Sequence, residues 1–229
     1  MIKRFLKQAI RGATVALVLC VASFANADSL ATKKWVAPPP QYFGLVGINH
    51  TVPTGGFEGT WNSEDITFWC IELTQYFSLG TTYTNNYSPS APSDEVFTLL
   101  GQLFHEAYGS AKSDSMHSAA FQLAIWEIVY DHTSPTLSLG SGSFYITNNN
   151  GHGDTVDLAN DWLAHLGDYT DNFTLIKLHS QSNQDFVTYG TPLLQRENFV
   201  PEPAPFALLC AAMLAMWIAV GRRRIQLTR

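Results

Sequence analysis

The chain has 229 residues, 46% of them hydrophobic and only 14% charged, with a formal net charge of −6. The cations crowd its two ends. Between Asp28 and Val200 only Lys33, Lys34, Lys112, Lys177 and Arg196 face 18 acidic residues, a balance of −13. Such a body excludes nucleic-acid binding by phosphate neutralisation and suits a soluble extracellular domain that attracts cations or basic partners.

Residues 1–27 read as a secretory signal peptide. Lys3, Arg4, Lys7 and Arg11 precede the apolar run Ala13–Phe24, and the small-residue site Ala25-Asn26-Ala27 predicts cleavage after Ala27. Residues 28–41 are polar and then proline-rich (Pro38-Pro39-Pro40), which reads as a leader with no core of its own. A single domain is expected over 42–199. Tyr42–Ile48 has strand composition, broken by Gly55-Gly56. Phe57–Trp61 and Ile66–Leu73 flank Asn-Ser-Glu-Asp, a four-residue turn, and predict a β-hairpin. Alternation along the second strand sets Cys70 and Glu72 on one face.

Thr81–Pro92 reads as a polar loop. Ser93 is placed to cap a helix reaching about Tyr108, with Gly109 as its stop. The next helix, around His117–Asp131 and capped by Ser113 or Asp114, is apolar on more than one face, so it should be largely buried. These two helices should pack as a hairpin on a sheet. Gly142–Thr147 predicts a short strand, and Asp154 a cap for a third helix ending at Gly167. Phe173–His179 and Gln184–Tyr189 predict a closing hairpin. The expected fold class is α+β: an antiparallel sheet or sandwich with two or three packed helices.

From Val200 the character changes again. Val200-Pro201-Glu202-Pro203 precedes the apolar run Phe206–Val220 and then Arg222, Arg223 and Arg224. The arginines would stay cytoplasmic, leaving the Pro-Glu-Pro outside. Motif, apolar run and basic tail resemble, in that order, the PEP-CTERM sorting signal of Gram-negative bacteria that make extracellular polysaccharide. The resemblance covers residues 200–229. It implies a transmembrane sorting helix, an inner-membrane intermediate, and recognition by an exosortase that removes the tail near Pro201–Pro203, after signal peptidase has removed the leader peptide.

Two segments carry chemistry. Cys20 and Cys210 fall in the terminal apolar runs, so Cys70 is the one cysteine expected in the mature body. That excludes a disulfide framework and leaves a free thiol, an intermolecular disulfide or a thioester. Gln122 puts an uncharged amide in the middle of the most apolar helix, where it costs free energy unless paired. Trp69-Cys70-Ile71-Glu72 and Phe121-Gln122-Leu123-Ala124-Ile125-Trp126 resemble the paired motifs of bacterial thioester domains, an aromatic-Cys-Ile-Asp/Glu segment and a Thr-Gln-x-Ala-Ile-Trp segment. Phe121 stands here where the family has Thr. The resemblance covers roughly residues 40–190. It implies an internal thioester between the Cys70 sulfur and the Gln122 side-chain carbonyl, formed with loss of ammonia, that an amine or hydroxyl can open.

Such a bond needs dry walls and a proton acceptor. Trp69, Phe121 and Trp126 are candidates for the walls. Glu72, beside Cys70, is the first candidate acceptor, with His105 and His117 behind it. The competing reading makes Cys70 an inert buried thiol and Gln122 an amide satisfied by backbone, in a non-covalent protein of the exopolysaccharide matrix. No enzyme activity is expected, because no carboxylate, serine or phosphate-loop motif is recognisable. No metal or other cofactor is expected either, the seven histidines lacking ligand spacing. Partners would be the processing proteases, the membrane before processing, and a polysaccharide or surface protein, with no nucleic acid.

Overall fold

The computed structural model describes residues 27–92, 94–169 and 173–190. Residues 1–26 of the expected signal peptide, Ser93 and the expected sorting segment, Val200 to Arg224 included, lie outside the described residues. The fold is α+β. One antiparallel sheet has seven strands in the order β6-β1-β4-β5-β10-β9-β7, and a second has three in the order β3-β2-β8.

The sheet grows around the hairpin of β4 (Phe57–Trp61) and β5 (Glu64–Cys70). Its turn is tighter than the four residues expected. Asn62 and Ser63 take positive φ values of 51° and 77°, the conformation of a two-residue primed turn, so Glu64 and Asp65 join the strand. The Asn62 side chain also accepts from Ser29 N at 2.9 Å, tying in β1 (Ser29–Trp35). Residues 28–41 are therefore no bare leader. Leu30 and Thr32 alternate into the core while Lys33 and Lys34 pair on the surface with Asp65 and Glu58. The composition hides this strand because half of it faces water.

β2 (Gln41–Leu45) and β3 (Thr51–Thr54) replace the longer strand expected to Ile48. The stretch 81–92 is not all loop: β6 (Thr82–Thr84) and β7 (Ser88–Ser90) close the two edges of the large sheet. β9 (Leu175–His179) and β10 (Phe186–Tyr189) form the closing hairpin in register, Phe186 opposite Leu178. β10 also pairs with β5, setting Phe186 opposite Cys70.

Helix α1 (Glu95–Ala107) is capped by Asp94, whose Oδ1 accepts from Phe97 N at 3.0 Å, one residue later than the expected Ser93. Asp114 caps α2 (Ser115–Asp131) in the same way through His117 N. Asp154 does not cap α3 (Gly153–Ala164). His152 holds that position without a side-chain bond, and Asp154 sits in the first turn, where its charge suits the helix N-terminus. α2 is buried without a break from Ser118 to Ile128 and touches α1, α3, β2, β3 and β5. No helix among the described residues is long and apolar enough to cross a membrane.

Two buried carboxylates on α2 organise the loop that follows it. Asp131 accepts from Ser143 N (2.9 Å) and Phe144 N (2.8 Å), so these residues do not form the strand expected from Gly142; β8 (Ile146–Asn148) starts later. Burial pushes the Asp131 carboxyl up, but those two N–H groups outweigh it and hold it below the ordinary range. Glu127 Oε1 accepts from Ser138 N at 2.7 Å, while its Oε2 is buried without a partner. Burial drives this carboxyl up to about 7; the Ser138 bond opposes the shift and the Asp131 charge adds to it. The folded state thus holds the Glu127 proton more tightly than the unfolded chain does. Its contribution to stability is full below about pH 4.5 and is lost as pH rises through about 7. Glu127→Gln should flatten that fall and raise the melting temperature on the alkaline side, checked by thermal unfolding across a pH series. A wild-type slope unchanged in the variant would assign the pH dependence elsewhere.

Candidate functional site

β4 ends opposite Phe68, so two residues further along β5 the N–H and C=O of Cys70 have no strand partner on that side. Gln122 of α2 supplies one. Its Oε1 accepts from Cys70 N at 3.0 Å, and its Nε2 donates to Cys70 O at 2.7 Å. A side-chain amide has the donor and acceptor of a peptide group, so it continues the ladder where the backbone stops. Gln122 is 1% exposed and Cys70 8%. The amide carbon is bonded to both contacting atoms and therefore lies alongside the Cys70 main chain, on the residue that carries the thiol.

The walls behind the pair are aromatic. Trp69 and Phe121, both fully buried, meet at 4.9 Å between ring centroids, and Phe104 packs on each. Phe121 also reaches Trp162 of α3, so the residue standing in the place of Thr joins a hydrophobic cluster. The turn before β4 fits this cluster closely. A Cβ on Gly56 would meet the Trp69 indole at 2.5 Å, and Gly56 N donates to Ser118 Oγ of α2 at 2.9 Å.

In front of the pair is a cleft of about 340 Å³, lined by Cys70, Gln122, Glu72 and Trp126 together with Trp35, Phe57 and the segment after β5. β5 ends at Cys70, so Glu72 lies in the irregular segment after it and not on the strand expected to Leu73, yet both residues line the same cleft. Glu72 is held by the segment before β10. Its Oε1 accepts from Asp185 N at 3.1 Å, and its main-chain oxygen accepts from Gln184 Nε2 at 2.7 Å. Burial pushes the Glu72 carboxyl up; the Asp185 N–H opposes this, and the charges of Asp185, Lys177 and His179 add smaller effects of both signs. Burial also drives the Cys70 thiol well above its ordinary value, with the Glu72 charge adding to it.

His105 and His117 stand elsewhere. His105 is exposed on α1, beside the rings of Tyr169 and Phe173. His117, in the first turn of α2, pairs its Nδ1 with Asp114 Oδ2 at 2.8 Å as part of the helix cap. Neither lines the cleft. His50, on the loop after β2, does line it, as do Gln75 and Gln184. Nothing local in the sequence marks these three; they arrive through loop closure. Among the described residues no group of three or more His, Cys, Asp or Glu side chains could hold a metal ion.

The pairing has chemical content. The Cys70 N–H is directed at the Gln122 carbonyl oxygen, where negative charge would develop if sulfur attacked the amide carbon. The unreactive, raised thiol needs a base, and Glu72 is the carboxylate on the cleft. No family model, curated protein or solved structure matches the chain.

Because Gln122 bonds to the main chain of Cys70, Cys70→Ala should leave the clasp intact. In that background Gln122→Ala orphans one buried N–H and one buried C=O, which should cost about 2–4 kcal/mol of unfolding free energy. Urea unfolding of the two variants checks this; equal stabilities would mean that water replaces the amide without loss.

Proposed function

We propose that this chain is an exported, exosortase-processed surface or extracellular-matrix protein whose Cys70 and Gln122 form an internal thioester for covalent attachment to an amine or hydroxyl target. The observation that carries the reading is the clasp of the Gln122 carboxamide on the Cys70 main chain, with bonds of 3.0 and 2.7 Å, beside an open cleft. The two motifs lie 52 residues apart in sequence, and the reading requires them to meet. The sorting signal, Val200 to Arg224, supplies the address, and the acidic body suits life outside the cell.

The steps balance as follows. The Cys70 thiol loses its proton to Glu72 and attacks the Gln122 amide carbon. Nitrogen takes up that proton and leaves as ammonia, creating the C–S bond. Later an amine or hydroxyl attacks the same carbon, the C–S bond breaks, and the acceptor's proton ends on the Cys70 sulfur. The bond is used once, so this is attachment and not turnover. Burial of the pair serves the first requirement of such a bond, exclusion of water.

A second reading is favoured by the same clasp. An amide with both ends bonded at 1% exposure is also what a purely structural Gln looks like, and then the protein is a non-covalent matrix component with a free, buried Cys70.

Intact mass of the exported protein separates the two. The thioester reading expects a mass one ammonia below that of the processed sequence and uptake of one methylamine at Gln122, both abolished by Cys70→Ala. The structural reading expects the full mass, no uptake, and a thiol that reacts with maleimide slowly until the protein is unfolded.

A further inference from the structure

Glu72 stands between two hollows. It lines the cleft over Cys70 and Gln122, and it lines a second recess of about 260 Å³ together with Asp94 at the α1 cap, Tyr130 of α2, Lys177 of β9 and Asp185. Among the described residues Glu72 is the one common to both linings. Its own strand does not place it, because β5 stops at Cys70. The segment before β10 does. Ile71 N donates to Asp185 O at 3.1 Å, Gln184 Nε2 donates to Glu72 O at 2.7 Å, and Asp185 N donates to Glu72 Oε1 at 3.1 Å. Two of these three bonds belong to Asp185, and the last holds the carboxyl itself.

Asp185 is fixed in turn by its side chain, which is 6% exposed. Its Oδ1 accepts from Ser180 N at 2.7 Å, and its Oδ2 pairs with Lys177 Nζ at 3.0 Å and His179 Nδ1 at 2.9 Å. Lys177 and His179 are two residues apart on β9, so alternation puts both on the face that Asp185 meets. Charge-assisted bonds of this kind are stronger than neutral ones and hold a buried carboxylate in place. Charge follows the same path as the contacts. Burial pushes the Glu72 carboxyl up and the Asp185 N–H pulls it down; beyond these, the Asp185 charge raises it and the Lys177 and His179 charges lower it. The two signs thus lie on opposite partners of one ion pair.

We infer that Asp185 is a positioning residue for Glu72: its main chain holds the Glu72 carboxyl on the cleft, and its ion pair with Lys177 sets the charge around that carboxyl. The hold itself needs no covalent chemistry. Its use rests on the thioester reading: Glu72 takes the Cys70 proton as sulfur attacks the Gln122 amide carbon, and returns it to the nitrogen that leaves as ammonia.

The test sets the two partners of the ion pair against each other. Asp185→Asn keeps the shape and the main-chain N–H but removes a negative charge near Glu72. Lys177→Met keeps an unbranched side chain and removes a positive one. The exported protein carrying Cys70→Ala is labelled with 13C at its glutamate carboxyls, and the Glu72 signal is assigned by its loss in Glu72→Gln. That carboxyl should titrate at lower pH with Asp185→Asn and at higher pH with Lys177→Met. A fold merely loosened would carry both variants toward the ordinary carboxylate value, in one direction. Shifts in one direction, or none, would overturn the inference. Wild-type chain purified in urea with Gln122 intact, then folded across a pH series, reports on the use of the carboxyl. Ammonia loss followed by intact mass should move along the pH axis in the same two directions, and Glu72→Gln should slow it at least about a hundredfold. Ammonia loss at full rate in Glu72→Gln, or unmoved in both variants, would overturn the part of Asp185 in the reaction. Opposite titration shifts in a protein that never loses ammonia would end the thioester reading and leave the hold of Asp185 on Glu72 standing.

Discussion

The arrangement of this domain depends on one pairing: a side-chain amide completing a strand that has run out of partners. β5 outlasts β4 by two residues, and the Cys70 N–H and C=O at its end are buried. Left bare, each would cost about 1–3 kcal/mol. Gln122 meets both and thereby sets the rotation and height of α2 against the sheet. The same helix is buried on all sides, and most of its remaining polar groups find partners. Asp131 and one oxygen of Glu127 draw in main-chain N–H groups of Ser138, Ser143 and Phe144, which folds the loop after α2 back over it. Two faces of one helix thus position both the clasp and the neighbouring loop.

The dryness that such a clasp requires has a chemical consequence. A thiol excluded from water and set near a carboxylate is a poor nucleophile until it loses its proton, and Cys70 is raised on both counts. An acyl group on sulfur, once present, is guarded by that same exclusion. A thioester at such a site would be slow to form and slow to hydrolyse. Glu72 is the carboxylate nearest to hand on the cleft, and burial raises its carboxyl in the same direction as the thiol it would deprotonate.

How far the sequence revealed this can be argued from individual residues. The unbroken apolar run of α2, the α+β class and the β4–β5 and β9–β10 hairpins follow from periodicity, and the structure has them. The strand β1 was illegible because alternation in Ser-Leu-Ala-Thr-Lys-Lys-Trp leaves few apolar residues to notice; only the partner strands β4 and β6 reveal its inward face. The positive φ of Asn62 and Ser63 shortened a turn that composition made four residues long. At the candidate site, Cys70, Gln122, Glu72 and Trp126 were legible from their motifs, and all four line one cleft. His105 and His117 attracted notice for their chemistry, but a cap carboxylate claims His117, and α1 turns His105 outward. His50, Gln75 and Gln184 come from separate loops, and no local pattern could have gathered them.

The clasp also bears on the energetics of the proposed bond. Gln122 Nε2 is the donor to Cys70 O, and that nitrogen is the atom lost as ammonia when sulfur takes its place. The thioester form therefore leaves a buried carbonyl without its partner, at about 1–3 kcal/mol. The fold itself, and not only the weakness of the C–S link, would favour opening. An acceptor regains that free energy only if it brings a donor back to the carbonyl. An amine through its new amide N–H and a sugar through a hydroxyl neighbouring the one that reacts meet the condition, whereas water leaves a carboxyl that donates only while it keeps its proton. An isolated alcohol without a second hydroxyl does not. Selection among acceptors then falls to the cleft, with its aromatic walls and its single carboxyl, Glu72.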